Sequence, residues 1–256
     1  MPRRPLEVVA LLCLALALPL IARAQQPAPP VFTFVAEWDV QRDKWADVSA
    51  FMDKGIRPIF DRLIATGTIS GYGTYETLVH EKDGSTHGMW WTATSLVGIE
   101  KARLEAIKVP PPAALATAAH HDYFMRGLIG NHRPGSGAGG YLRVNSSLVQ
   151  AGKGNQWRET WEKYTKPAYD ALVADGTLAY YSVEIQQVTT ANPGVRMVVA
   201  VAPSAEAMDK VYAALTALNS KRSPEERAAV DAAFMATIVP DASRSYLARV
   251  NAFSFK

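Results

Sequence analysis

"PIFDRLIATGTIS" occupies Pro58–Ser70, and "PAYDALVADGTLA" occupies Pro167–Ala179, a constant 109 residues later. Extending the comparison to Met52–Gly73 and Trp161–Ser182 gives eight identities in 22 positions. They are Lys54/Lys163, Pro58/Pro167, Asp61/Asp170, Leu63/Leu172, Ala65/Ala174, Gly67/Gly176, Thr68/Thr177 and Tyr72/Tyr181. A fixed offset with that density of matches marks an internal duplication.

Each copy of the phrase reads as an amphipathic helix that ends on glycine and runs into a strand. Trp45, Val48, Phe51, Met52, Ile56, Ile59, Phe60, Leu63 and Ile64 recur at spacings of three and four, which places them on one helical face. Trp157, Trp161, Tyr164, Ala168, Tyr169, Leu172 and Val173 do the same in the second copy. Gly67 and Gly176 stand where a left-handed C-terminal cap belongs, since glycine has no Cβ to clash there. Pro58 and Pro167 each remove an N–H donor and should kink or restart the helix.

The flanks repeat as well. Strand-like runs precede the helices at Val31–Val40 and Tyr141–Val149. Hairpins follow them, Ser70–His80 with Gly88–Thr94 around Asp83-Gly84, and Leu178–Thr189 with Arg196–Ala202 around Asn192-Pro193-Gly194. A second helix comes next, near Val97–Lys108 and Ala205–Leu218, and then a last strand from Tyr123 or Tyr246. The order is βαββαβ twice, the ferredoxin-like unit. Copy two adds a helix from Ser223-Pro224-Glu225-Glu226, with proline at its first position and acids in its first turn. The domain boundaries expected are 31–133 and 140–256, joined by a Gly-rich linker at 134–139.

The N-terminus carries a different message. Arg3 and Arg4 precede the apolar run Val8–Ile21, and Ala22-Arg23-Ala24 offers small residues at the positions a signal peptidase reads. At 14 residues the run is short of the ~20 that span a bilayer as a helix. The expectation is a signal peptide over 1–24, a Pro-rich linker over 25–30, and a periplasmic or secreted protein with no stable membrane anchor. Removing Arg3, Arg4, Arg23 and Glu7 leaves 24 basic and 23 acidic side chains, a net charge of +1. No basic stripe forms, so a nucleic-acid partner is not expected. Cys13, the only cysteine, leaves with the signal, which excludes disulfides, thiolate nucleophiles and cysteine-held metals from the remainder.

A ferredoxin-like sheet is covered by helices on one face only. Phe32–Trp38 and Met197–Ala202 are apolar on both alternations, which calls for burial on both sides. The chain thus resembles the dimeric α/β-barrel superfamily in a fused, tandem form, an α+β fold of two repeats packed sheet to sheet. That superfamily includes small monooxygenases and haem enzymes as well as members without known activity. The resemblance implies a cavity between the sheets and does not select one chemistry.

Candidate site residues follow from which strand faces would line such a cavity. Tyr123-x-x-Arg126 and Tyr246-x-x-Arg249 match, and residues three apart on a strand face opposite ways. The expectation is tyrosine toward the helices and arginine toward the barrel, with Arg143 joining because Leu142 and Val144 read as helix-side. Glu37 and Asp39 alternate away from Phe34, Ala36 and Trp38. Arg126, Arg143, Arg249, Glu37 and Asp39 could then bind a polar group or supply a general base, or form ion pairs at the barrel rim. Of the adjacent Trp90 and Trp91, Trp91 is taken as the residue stacking on a ligand. A two-residue turn at Asp83-Gly84 would set His80 against His87, roughly 5 Å apart. Those two are weak metal ligands because no third is evident. His120, His121 and His132 lack counterparts in copy two, and His121 is the candidate for holding a haem. Three functions remain open: a small-molecule-binding protein, a monooxygenase-like or haem-dependent enzyme, and a scaffold. Each is compatible with a monomeric pseudo-dimer or a further homodimer.

Overall fold

A computed structural model describes residues 30–79, 84–189 and 193–256. The proposed signal peptide, His80, Asp83 and Asn192 lie outside the described residues.

The first repeat runs β1 (Phe32–Asp39), α1 (Trp45–Phe51), a π-helical turn (Met52–Ile56), α2 (Arg57–Ala65), β2 (Gly71–Thr77), β3 (His87–Ala93), α3 (Leu96–Ala106), α4 (Ala113–Thr117) and β4 (Ala119–His132). A short β5 (Gly135–Gly137) follows. The second repeat runs β6 (Gly140–Leu148), α5 (Gly154–Tyr164), α6 (Lys166–Ala174), β7 (Tyr180–Gln186), β8 (Val195–Ala202), α7 (Ala205–Ser220), α8 (Pro224–Met235) and β9 (Arg244–Phe255).

The sequence-level reasons for these elements are visible at their ends. Pro58 and Pro167 lie in the first turn of α2 and α6, so the helix restarts at proline, where the missing N–H costs nothing. Gly67 and Gly176 take φ of +70° and +85°. At Gly67 the chain closes a Schellman motif, with Gly67 N–H on Ile64 O at 2.9 Å and Thr68 N–H on Leu63 O at 2.9 Å. The repeated aspartate and tyrosine meet next. Tyr72 donates to Asp61 at 2.5 Å and Tyr181 donates to Asp170 at 2.6 Å, which clasps each helix to the strand that follows it. Ser95 and Ser204, also 109 apart, cap α3 and α7 through the N–H groups of Gly98 and Ala207.

Each repeat orders its strands as a ferredoxin-like sheet, β2-β3-β1-β4 and β7-β8-β6-β9. The two sheets join at both edges. β4 is long enough to pair with β1 through Ala119–Arg126 and with β7 through Met125–His132. β9 likewise pairs with β6 and then with β2. The result is one closed antiparallel barrel, so no edge of the main sheet is left open. Each seam carries a register shift, at Gly127/Ile129 and at Thr74/Tyr75, where the sheet must bend.

Three apolar clusters result. One lies between the helices and sheet of the first repeat, around Phe60, Tyr72 and Trp91. A second lies on the helix side of the other repeat, around Trp157, Trp161 and Tyr181. The third fills the barrel and draws on both repeats, with Tyr75, Trp90, Leu142, Val144, Tyr180 and Val201. Among the described residues no helix is long and apolar enough to cross a membrane.

Candidate functional site

The barrel interior is not fully occupied. A chamber of about 100 Å³ remains, walled by Val35, Trp90, Met125, Leu142, Met197 and Val199 and reached by the side chains of Glu37 and Glu184. It adjoins a wider, more polar mouth of about 330 Å³, bordered by Thr77, Ser85, His121, Ser146 and Arg244. Glu37, Tyr123 and Tyr246 border both spaces, so they stand at the junction.

Two glycines make room for the aromatic walls. Gly73 pairs with Trp90 across β2 and β3, and Gly88 pairs with Tyr75. A Cβ on Gly73 would sit 2.6 Å from Trp90 Cζ3, and one on Gly88 would sit 2.7 Å from Tyr75 Cε1. Both rings therefore lie flat across the neighbouring strand at a position that only glycine leaves open.

Glu37 is nine-tenths buried and, among the described residues, is held by hydroxyls. Tyr75 donates a short hydrogen bond to Oε1, Tyr246 reaches the same oxygen at 3.5 Å, and Ser85 donates to Oε2 at 3.1 Å. Burial pushes the Tyr75 and Tyr246 hydroxyls well above the ordinary phenol range, and the Glu37 charge pushes them the same way. Burial and Glu37 act likewise on Tyr123. Tyr75 and Tyr246 stay protonated and donate to the Glu37 carboxyl group, which stands at the junction. Deeper in the chamber Glu184 accepts from Thr33 at 3.0 Å and from Tyr180 at 3.1 Å, both on Oε1. Burial makes it a weaker acid than an ordinary carboxyl group, against the opposing effect of the neighbouring Thr33, Ser182 and Tyr180 hydroxyls.

The placement of the sequence candidates is mixed. Glu37 and His121 are cross-strand partners on β1 and β4 and both face the mouth. The tyrosine–arginine split is the reverse of the expectation: Tyr123 and Tyr246 border the chamber, and the arginines lie elsewhere. Arg126 is on the opposite face from Met125. Arg143 lies over the Tyr212 ring at 5.0 Å, because Leu142 and Val144 point inward. Arg249 is exposed on β9, across from Glu76. A closed interior charges a guanidinium its desolvation, and none of these arginines has a buried carboxylate that would offset it. Asp39 is exposed at the end of β1 and borders a separate crevice with Gln41 and Lys44. Trp91 is buried on the helix side, stacked on Phe34 at 4.7 Å and donating to Ile99 O at 3.1 Å. Trp90 is the tryptophan that faces the chamber.

The expected His80–His87 pairing falls on His80, which lies outside the described residues; the cross-strand partner of His87 is Glu76, with Nε2 3.8 Å from Oε2. His120 stacks on Trp38 and pairs with Asp122 at 3.0 Å. His132 contacts Lys256 O at 2.9 Å. Among the described residues no three His, Cys, Asp or Glu side chains gather as a metal site. Among the described residues no histidine lines the chamber, which is too small for a porphyrin, and His121 borders the mouth instead.

Sequence reasoning missed Tyr75, Trp90, Glu184 and Arg244. The signal available for the first two was the glycine opposite each ring, in "GYGTYE" and "HGMWW".

No family model matches the sequence, and no curated protein matches it. Solved structures do match in shape. A candidate monooxygenase from Lactobacillus acidophilus NCFM superposes with a TM-score of 0.63 at 8% identity, covering 89% of this chain and 96% of that one. A candidate monooxygenase from Fusobacterium nucleatum gives 0.61 at 8% identity, covering 90% and 96%. An anthrone oxidase-like protein gives 0.51 at 10% identity, covering 90% and 94%. The fold is the dimeric α/β barrel, with both halves supplied by one chain.

Proposed function

We propose that this chain is an enzyme that binds a small, flat, largely apolar molecule in the barrel and removes a proton from it with Glu37. The observation that carries this reading is a carboxylate buried at the junction of an apolar chamber and a polar mouth, fixed by Tyr75, Tyr246 and Ser85 and, among the described residues, paired with no cation. Such a group is positioned before substrate arrives, and partial exclusion of water strengthens its action on an acidic C–H or O–H. Trp90 and Val35 would hold the ring system by apolar contact, and Arg244 and His121 at the mouth would meet a polar substituent.

The shape match to candidate monooxygenases and to an anthrone oxidase-like protein supports oxygenation as the net reaction. In that reaction Glu37 takes the proton of an activated CH₂ and the electron pair stays on the ring system. Dioxygen then accepts electrons from that carbanion, one oxygen atom ends in the new ketone and the other in water. The pattern over residues 1–24 supports an exported protein, and a mature N-terminus at Gln25 would test it.

The experiment is oxygen uptake and product mass with anthrone, for the wild type and Glu37→Gln, both measured against uncatalysed oxidation. General-base loss predicts a fall of about 10²–10⁴-fold in the variant. Oxidation of anthrone by Glu37→Gln at the wild-type rate would refute the role of Glu37.

A further inference from the structure

The proton-transfer scheme uses one of the two carboxyl groups in the chamber. Glu184 is only 3% exposed, on β7 of the other repeat, and nothing in that scheme accounts for it. Its position is fixed by Thr33, four residues before Glu37 on β1. At about 3.3 Å per residue, the two carboxyl groups are anchored on the order of 13 Å apart along the barrel wall. They face the same chamber from its two ends.

The surroundings of the two differ. Glu37 reaches the mouth and receives hydroxyls on both oxygens. Glu184 is absent from the mouth, and Thr33 and Tyr180 both donate to Oε1. The titratable groups that face it are Tyr180 on its own strand and, around the chamber, Tyr75, Tyr123, Tyr246 and Glu37. None is a cation. A second charge in an apolar chamber without a counter-ion is costly, and a carboxyl group avoids that cost by keeping its proton. With Oε1 occupied by two donors, Oε2 is the oxygen left to carry it. Burial shifts Glu184 in the same direction.

Resting on the reading that the chamber holds a flat apolar ligand, we infer that Glu184 is its second binding residue, a neutral carboxylic acid whose Oε2–H donates to an acceptor oxygen at the ligand's inner end. The substrate class is then a fused-ring ketone or quinone-like molecule whose inner end enters the chamber and whose remainder extends past Glu37 into the mouth. One oxygen anchors it at Glu184, and its acidic proton lies at the opposite end, beside Glu37. This geometry also has a chemical consequence. A donor at the distant carbonyl stabilises the negative charge that proton removal sends through the ring system, so anchor and base act on one conjugated unit.

The test compares two probes of the same frame, the ketone 1-tetralone and the hydrocarbon tetralin, titrated into wild type, Glu184→Gln and Glu184→Leu and read by tryptophan fluorescence and calorimetry. Wild type should favour the ketone by about tenfold, the value of one buried hydrogen bond. Glu184→Gln, which keeps an N–H donor, should stay within about threefold of that preference. Glu184→Leu should lose it and still bind tetralin. Raising the pH until Glu184 ionises should abolish the preference in wild type and leave Glu184→Gln unchanged, a response that a merely structural role would not produce. If Glu184→Leu does not fold, the pH comparison of wild type with Glu184→Gln decides alone. A preference that survives in Glu184→Leu, or that is equally pH-independent in wild type and Glu184→Gln, overturns the assignment of Glu184 and leaves the chamber intact. Failure of both probes to bind wild type overturns the chamber reading and this one with it.

Discussion

Gly88→Ala is the sharpest test of how the site is built. Gly88 is the second residue of β3, outside the left-handed region, so alanine is conformationally acceptable there. Its new methyl group would intrude on Cζ and the hydroxyl oxygen of Tyr75 and come within 2.7 Å of Cε1. Tyr75 is buried between Trp90 and Tyr246, and the space beside it is the chamber it lines, so a ring pushed there leaves its place on Glu37. Overpacking of this kind costs about 1–3 kcal/mol. Displacing the ring also takes the hydroxyl off Glu37, which leaves a buried acceptor short of a partner at about 1–3 kcal/mol more. A total near 3 kcal/mol corresponds to a melting temperature about 6–12 °C lower for a chain of this size. Thermal unfolding by circular dichroism measures it. Gly139→Ala supplies the contrast, because its φ of +74° is strained but nothing lies within 4 Å of the new methyl. It should cost about 1 kcal/mol from backbone strain alone. A Gly88→Ala protein that melts with the parent, or no lower than Gly139→Ala, would mean that the Tyr75 ring is not seated on this glycine.

Three further outcomes follow from the same geometry. Tyr72→Phe and Tyr181→Phe each remove one helix–strand clasp onto a partly solvated aspartate and should cost about 1 kcal/mol apiece. The losses should add in the double variant, since the clasps sit in different repeats, and urea unfolding would expose any coupling. Gly176→Val places a β-branched residue at φ +85° and should lose about 2 kcal/mol or more, so an unchanged melting temperature would remove the left-handed cap from the account. For pH, Glu184 holds its proton more tightly folded than unfolded, so the native state binds the extra proton between the two values. Stability should therefore fall as pH rises from the unfolded carboxyl value of about 4.3 toward the raised folded value, at no more than about 1.4 kcal/mol per pH unit. Glu184→Gln should lack that decline, and parallel stability curves for the two proteins would count against a buried acid at this position.

The repeat made the architecture legible, because the positions that repeat are those that shape the backbone. Pro58/Pro167, Gly67/Gly176, Ser95/Ser204 and the Asp–Tyr clasps restart, end, cap and tie down the helices in both halves. Strand faces were harder to read, and the reason is physical. In an open sheet, alternation separates an apolar side from a polar one. In a closed barrel both sides are buried, so Leu142 and Val144 look the same whether they face helices or chamber. Charge then misled, since arginines suited a ligand in principle but belong outside a closed interior in energy. The β2–β3 register failed for a different reason. Asp83-Gly84 resembles a tight turn, while the described ladder sets Glu76 opposite His87 and bonds Thr77 N–H to Thr86 O at 2.8 Å.

The chamber follows the repeat only in part. Val35/Val144 and Tyr123/Tyr246 repeat in its lining, but at the same 109-residue offset Glu37 corresponds to Ser146, Tyr75 to Glu184 and Trp90 to Val199. A symmetric pseudo-dimer would present two equivalent half-sites. Here one repeat contributes the hydroxyl-bound carboxylate and the large ring, and the other contributes the buried acid and the small aliphatic wall. Each half lacks what the other has, so neither repeat alone would hold a ligand between a base and an acid. Fusion of the two copies is what permits that division, because identical subunits cannot place different residues at equivalent positions. The duplication and the asymmetry are thus two parts of one design: repetition keeps the barrel closed, and the departures from repetition give its interior a direction.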